Sequence, residues 1–252
     1  MKILTHIVAA VAGAALTAAV FLLAPLVARG GVDADQTKAV QEIVEKYIQD
    51  HPEAIAKAMQ QMQQREQAER AAAQRDAIRK HEQELLRQPD DLVLGNPKGD
   101  VAIVEFFDYR CPHCKVTLPT VMEAVKGDGR IRLVLKEFPI LGPASQLVSR
   151  AAIASARQGK YAEFHLALLE TPGDLDEDGL LKTARAAGLD TDRLQADMKS
   201  PDIDVVLKRN SDLAGALGIS GTPTFIVGGE LVAGEVDAAG LRDLIARTRA
   251  GD

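Results

Sequence analysis

The chain has 252 residues, with 36 acidic against 30 basic side chains and a net charge of −6. That mild acidity gives no reason to expect nucleic acid as a partner. Hydrophobic residues make up 46% of the chain and tryptophan is absent, so Ala, Val, Leu and Ile must build the core, with room for one full domain and an appendage. There are two cysteines; a structural zinc site would need two further ligands, and no third cysteine exists to supply one.

Residues 1–34 stand outside the predicted fold. Lys2 gives a small positive start, Ile7 to Ala28 is an uncharged apolar run, and Val32-Asp33-Ala34 offers small residues where a signal peptidase cuts. The run is as long as a membrane span, so a retained inner-membrane anchor competes with the favoured reading, cleavage after Ala34. Either outcome delivers the rest of the chain to an oxidising compartment, the periplasm.

Composition changes abruptly over residues 35–88. Val40, Ile43, Val44, Tyr47 and Ile48 fall at helical spacing and form one apolar stripe. His51-Pro52 interrupts it, with Asp50 a candidate cap and Pro52 suited to the first turn of a second helix. Ile55, Met59 and Met62 carry the stripe on. Short amphipathic helices cannot bury such faces alone, so they must dock on the main domain or on copies of themselves. Gln60 to Arg87 is rich in Gln, Glu, Arg and Ala, which predicts a solvated, semi-rigid helical spacer ending at Pro89. The main domain is therefore expected over residues 89–252.

Leu92-Val-Leu94 reads as a short strand, and Gly95-Asn-Pro-Lys-Gly99 as a turn. Val101 to Phe107 is almost wholly apolar and rich in β-branched residues, as a central strand covered on both faces requires. Its single charge is Glu105, whose alternation places it on the side leading toward Cys111 and Cys114. A helix opens at Cys111-Pro112-His113-Cys114, with Pro112 in the first turn. The sulfur of Cys111 then lies among unpaired N–H groups at the positive end of the helix dipole, a place that stabilises a thiolate. His113, if protonated, adds a second positive charge. Cys111 is the expected attacking sulfur, open to solvent, and Cys114 the resolving one. A structural disulfide closing so small a loop gains little, so strand, cysteine pair and helix together point to redox catalysis. A buried Glu105 carboxyl of raised pKa can accept or return the proton of Cys114.

Lys126-Gly-Asp-Gly129 ends that helix, and Ile131 to Phe138 is the next strand, completing a βαβ unit. Gln146 to about Leu217 is helical, punctuated by Gly173, Gly188 and Pro201. His165 lies within it as a packed or surface histidine with no assigned chemistry. Gly221-Thr-Pro-Thr-Phe225 leads into a hairpin of Phe225 to Val227 and Leu231 to Ala233. Leu241, Leu244 and Ile245 define a last helix.

Glu105-Phe-Phe-Asp-Tyr-Arg-Cys-Pro-His-Cys114 resembles the active-site segment of the DsbA-like branch of the thioredoxin superfamily, and Gly221 to Phe225 resembles that family's cis-proline loop. The resemblance covers roughly residues 92–250. It implies an α/β thioredoxin fold with an inserted helical subdomain (about 142–217), preceded by an N-terminal helical oligomerisation arm over residues 35–88. It implies catalytic roles for Cys111, Cys114, His113, Pro112 and Glu105. The Thr222–Pro223 bond would be cis, leaving Thr222 backbone groups free to bind substrate as an added strand. The arm's pattern resembles the suppressor of copper sensitivity protein C (ScsC) group, whose members are trimers through this arm. A homotrimer with several active sites suits a disulfide isomerase or reductase for misfolded proteins, kept reduced by a membrane thiol reductase of the ScsB/DsbD kind. Two readings stand beside it: a monomeric dithiol oxidase, and a copper-tolerance protein binding Cu(I) through Cys111 and Cys114. Thiol exchange itself requires no cofactor.

Overall fold

A computed structural model describes residues 34–173 and 175–251; apart from Ala34, the segment read as signal or anchor lies outside them. The chain divides into two compact units after Gln67. The first holds helix α1 (Ala34–Asp50) and the start of α2 (Pro52–Lys80). Asp50 closes α1 and His51 takes the position before Pro52, so Asp50 is not the cap expected of it. The Nδ1 of His51 lies 2.9 Å from Glu53 Oε1. The apolar stripe Val40, Ile43, Val44, Tyr47, Ile48, Ile55, Met59 and Met62 is exposed. The second stripe and the spacer form one continuous helix, because no Gly or Pro follows Pro52 before Lys80 and the run is made of strong helix formers.

The second unit begins at Ala68, well before Pro89. Ile78, near the end of α2, and Leu85, in α3 (Glu82–Leu86), are buried against Val104, Phe106 and Val134. Lys136, only 1% exposed, donates to the Glu84 carbonyl at 2.9 Å and pairs with Asp91. The end of the stretch read as a solvated spacer is thus part of a core. Ile78, Leu85 and Leu86 are the main large apolar residues of that stretch, too few amid the charges to change its average composition.

Five strands form one sheet: β1 (Leu92–Gly95), β2 (Val101–Phe107), β3 (Ile131–Glu137), β4 (Thr224–Val227) and β5 (Glu230–Ala233), in the order β1-β3-β2-β4-β5. Only β2 and β3 pair in parallel, from Val101 against Ile131 to Phe107 against Glu137. The helix α4 (Pro112–Asp128) crosses between them and ends at Gly129, whose φ of 69° is open to glycine at little cost. Side chains alternate along β2. Val101, Ile103 and Phe107 join the core that contains both cysteines, while Val104 and Phe106 face Ile78 and Leu85.

Helices α5 (Pro143–Ser155), α6 (Tyr161–Glu170), α7 (Glu177–Ala186), α8 (Thr191–Asp197) and α9 (Pro201–Ala216) fill the insertion between β3 and β4. The carboxylates of Asp176 and Asp190 cap α7 and α8. Helix α10 (Ala238–Ala250) packs Leu241, Leu244 and Ile245 into the cysteine-bearing core. This is the thioredoxin fold with an inserted helical subdomain. Among the described residues no helix is long and apolar enough to cross a membrane.

Candidate active site

The turn from β2 into α4 is held by Asp108. Its fully buried carboxylate accepts from the Arg110 N–H (2.8 Å), the Ser145 hydroxyl (2.8 Å) and the Leu141 N–H (3.0 Å). Its carbonyl accepts from the Cys111 N–H at 3.0 Å. Cys111 then occupies the N-cap of α4 in an extended conformation, with Pro112 as the first helical residue. Its side chain makes no cap hydrogen bond to the first turn.

Cys111 is 4% exposed and Cys114 1%, so the expectation that solvent readily reaches Cys111 fails. The cause is the proline loop. Cys111 Sγ donates to the carbonyl oxygen of Thr222 at 3.1 Å, and the Thr222–Pro223 bond is cis. The Thr222 carbonyl is therefore engaged by the thiol instead of standing free. The loop is fixed on both sides, by Gly234 N–H to the Pro223 carbonyl and Thr224 Oγ1 to the Gly221 carbonyl, each 2.8 Å.

Cys114 lies one turn into α4. Burial pushes its thiol far above the ordinary range, with the charge of Glu105 adding to the shift. Glu105 sits between Leu135 and Phe225 in the sheet register, on the face that carries the cysteines. Burial pushes its carboxyl up to about 8. The structure thus brings together Cys111, Pro112, Cys114, Glu105, Thr222 and Pro223. His113 points outward and exposed, with Nδ1 2.5 Å from Glu235 Oε1. Glu235 carried no signal in the sequence, because 122 positions separate the pair. Asp108 was likewise missed, although an acid just beyond a buried strand is a recognisable capping residue. His165 is packed, only 1% exposed.

Among the described residues no group of three or more His, Cys, Asp or Glu is gathered as a metal cage. The two neighbouring sulfurs are the soft donors at the site, a set that fits a Cu(I) ion and not a structural zinc.

Residues 102–246 match the DSBA-like thioredoxin domain. A thioredoxin-like oxidoreductase from Silicibacter pomeroyi DSS-3 is 44% identical, with a TM-score of 0.66 over 68% of this chain and 98% of that one. A linker-deleted variant of ScsC from Proteus mirabilis is 22% identical, with a TM-score of 0.64 over 88% of this chain and 99% of that one; it shares the fold. The Na(+)/H(+) antiporter NhaA 1 of Salinispora arenicola is 32% identical over 166 residues, which are 65% of this chain and 26% of the antiporter. The chain thus spans about a quarter of the length of that relative.

Proposed function

The chain belongs to the DSBA-like thioredoxin domain family, and from that premise we propose that it is a periplasmic protein disulfide isomerase or reductase. The observation that carries the reading is the meeting of Cys111 Sγ with the Thr222 carbonyl at 3.1 Å, at the N-terminus of α4. That contact supports reading Cys111 as the nucleophile and the Thr222 backbone as the substrate-pairing group.

In the proposed cycle a substrate strand takes over the Thr222 carbonyl and frees Cys111. The Cys111 thiolate attacks one sulfur of the substrate disulfide, that S–S bond breaks, and a substrate thiolate leaves. A mixed disulfide remains. In isomerisation a second substrate thiolate attacks it and releases Cys111. In reduction Cys114 gives its proton to Glu105 and attacks Cys111 Sγ, expelling the second substrate thiolate and leaving a Cys111–Cys114 disulfide. A membrane thiol reductase of the ScsB/DsbD kind would return two electrons.

Isomerisation is favoured over oxidation by the exposed stripe on α1 and α2. Val40, Ile43, Tyr47, Ile55 and Met59 are all about half exposed or more, and self-association as a homotrimer would bury them. Several active sites would then share one substrate. The redox state of the pair in cells, trapped by alkylation, tests the direction. A reduced pair is expected; an oxidised pair sinks the isomerase and leaves a dithiol oxidase.

A second reading is Cu(I) binding by the same sulfurs, favoured by a two-thiol donor set with no further ligand group gathered among the described residues. Copper would block turnover while bound. Titration of the reduced protein should lose all binding in a double Cys→Ser variant; binding that survives would implicate Met59 and Met62.

A further inference from the structure

We propose that Glu137 is a positioning residue for Cys111, acting through the hydroxyl of Tyr109. Glu137 ends β3 opposite Phe107 in the parallel register, so its side chain enters the core on the same face as Glu105 and the cysteines. It is fully buried, and its Oε1 accepts from the Tyr109 hydroxyl at 3.0 Å and from the Tyr161 hydroxyl at 3.1 Å. His165 Nδ1 lies 2.9 Å from the Tyr109 oxygen. Each tyrosine has one proton to donate and spends it on Glu137. The contact to His165 therefore requires a ring whose Nδ1 carries a proton and donates to Tyr109, as one tautomer of the neutral ring does. Burial supports that form, since it lowers the His165 pKa to about 3.

The rings close around this polar centre. Phe107 meets Tyr109 and His165 edge to face, at 5.1 and 4.9 Å between centroids, and Tyr161 stacks on His165 at 5.4 Å. A phenylalanine at position 109 would fill the same apolar space without bringing a hydroxyl that needs a partner. What the hydroxyl adds is direction. Tyr109 lies between Asp108, which ties the turn to Leu141 and Ser145, and Cys111, which caps α4. Asp108 fixes the turn to the start of the insertion; Tyr109 fixes it to β3 and, through His165 and Tyr161, to α6. With both anchors made, Cys111 is held at the N-cap of α4 with its Sγ on the Thr222 carbonyl, a hydrogen bond that only the reduced thiol can donate. With the Tyr109 anchor lost, the turn relaxes and the reduced form loses that stabilisation.

The inference rests on Cys111 being the attacking sulfur. The test is equilibrium with glutathione, in which the protein disulfide and two glutathiones become the protein dithiol and one glutathione disulfide, a balanced two-electron exchange. Tyr109→Phe should move the equilibrium toward the protein disulfide by about fivefold, the effect of one net hydrogen bond. Glu137→Leu should move it at least as far. Glu137→Gln keeps an acceptor oxygen in place and should stay within about twofold of the parent, and the Tyr109→Phe/Glu137→Leu double variant should shift less than the sum of the two single effects. A Tyr109→Phe protein with the parent's equilibrium, a Glu137→Gln protein shifted as far as Tyr109→Phe, or additive single effects would each overturn the positioning role. If Glu137→Leu does not fold, Tyr109→Phe and Glu137→Gln still decide. A parent protein that does not exchange with glutathione overturns the proposed function itself. A parent that exchanges while its variants do not shift overturns this inference alone.

Discussion

The carbonyl oxygen of Thr222 holds the thiol of Cys111 at 3.1 Å, and that same carbonyl is the group an extended substrate segment needs for pairing. In the proposed cycle, substrate entry and release of the nucleophile are therefore one event: a peptide that pairs with Thr222 would remove the hydrogen bond that covers Cys111.

Once the mixed disulfide has formed, only Cys114 offers an internal way out. Cys114→Ser should therefore accumulate mixed disulfides through Cys111, visible as substrate-linked bands on non-reducing gels, whereas Cys111→Ser should trap none. Bands in the Cys111→Ser protein instead would invert the two roles.

In the proposed cycle Glu105 should make that exit depend on pH. Burial raises its carboxyl from an ordinary 4.5 to about 8, so the folded state holds a proton that the unfolded chain releases between those values. Its stabilising contribution is complete below about pH 4.5 and is lost as pH rises through about 8. Glu105→Gln should remove a slope of at most about 1.4 kcal/mol per pH unit across that window and leave the variant more stable than the parent at the alkaline end. Some slope should persist, because burial also raises Glu137 to about 8. The same variant should resolve mixed disulfides more slowly, since Cys114 has lost its proton acceptor. Denaturant midpoints and quenched-flow gels across this range test both; parallel stability curves would show that Glu105 is not buried as described.

How far the sequence spoke for itself follows from the range of each interaction. Val101 to Phe107, the proline opening α4 and the Gly221 to Phe225 loop are local patterns, and each became the expected strand, helix start and cis-proline loop. Glu105 was legible too, because a single charge in an apolar strand has one face to occupy. The partners of those residues were not. His113 meets Glu235, Tyr109 meets Glu137 and His165, and Thr222 covers Cys111 only after the sheet has brought distant segments together. The buried Ile78 and Leu85 were hidden differently, inside a run whose average composition is that of a solvated helix.

His113 and Glu235 are both exposed, so their charges act through water and salt. His113→Ala would leave the Glu235 carboxylate near the N-terminus of α4 without its partner, which disfavours the Cys111 thiolate. The glutathione equilibrium should move toward the protein disulfide, making the protein a weaker oxidant. The shift should shrink toward zero at about 1 M salt, where the screening length is about 3 Å. An equilibrium unmoved at low salt would show His113 to be a bystander, and a shift that survives high salt would point to a change in structure instead.

Ile78 and Leu85 belong to the core beneath the sheet, and Lys136 has the Glu84 carbonyl as a buried partner. Removing residues 35–88 would strip both side chains from that core, at about 2–5 kcal/mol for each large aliphatic lost, and would leave a buried ammonium short of one acceptor. Removing residues 35–67 takes away the exposed stripe on α1 and the start of α2 and leaves the second compact unit entire. The shorter deletion should therefore fold with nearly the parent's stability, run as a monomer by light scattering and keep its dithiol exchange. It should lose most of its ability to refold a scrambled multi-disulfide substrate, because a single site cannot hold a substrate between copies. The longer deletion should show a markedly lower denaturation midpoint. A full-length protein that is already monomeric, or a 35–67 deletion that isomerises as well as the parent, would sink the assembly reading and favour a monomeric oxidase. Equal stability of the two deletions would return the boundary to Pro89.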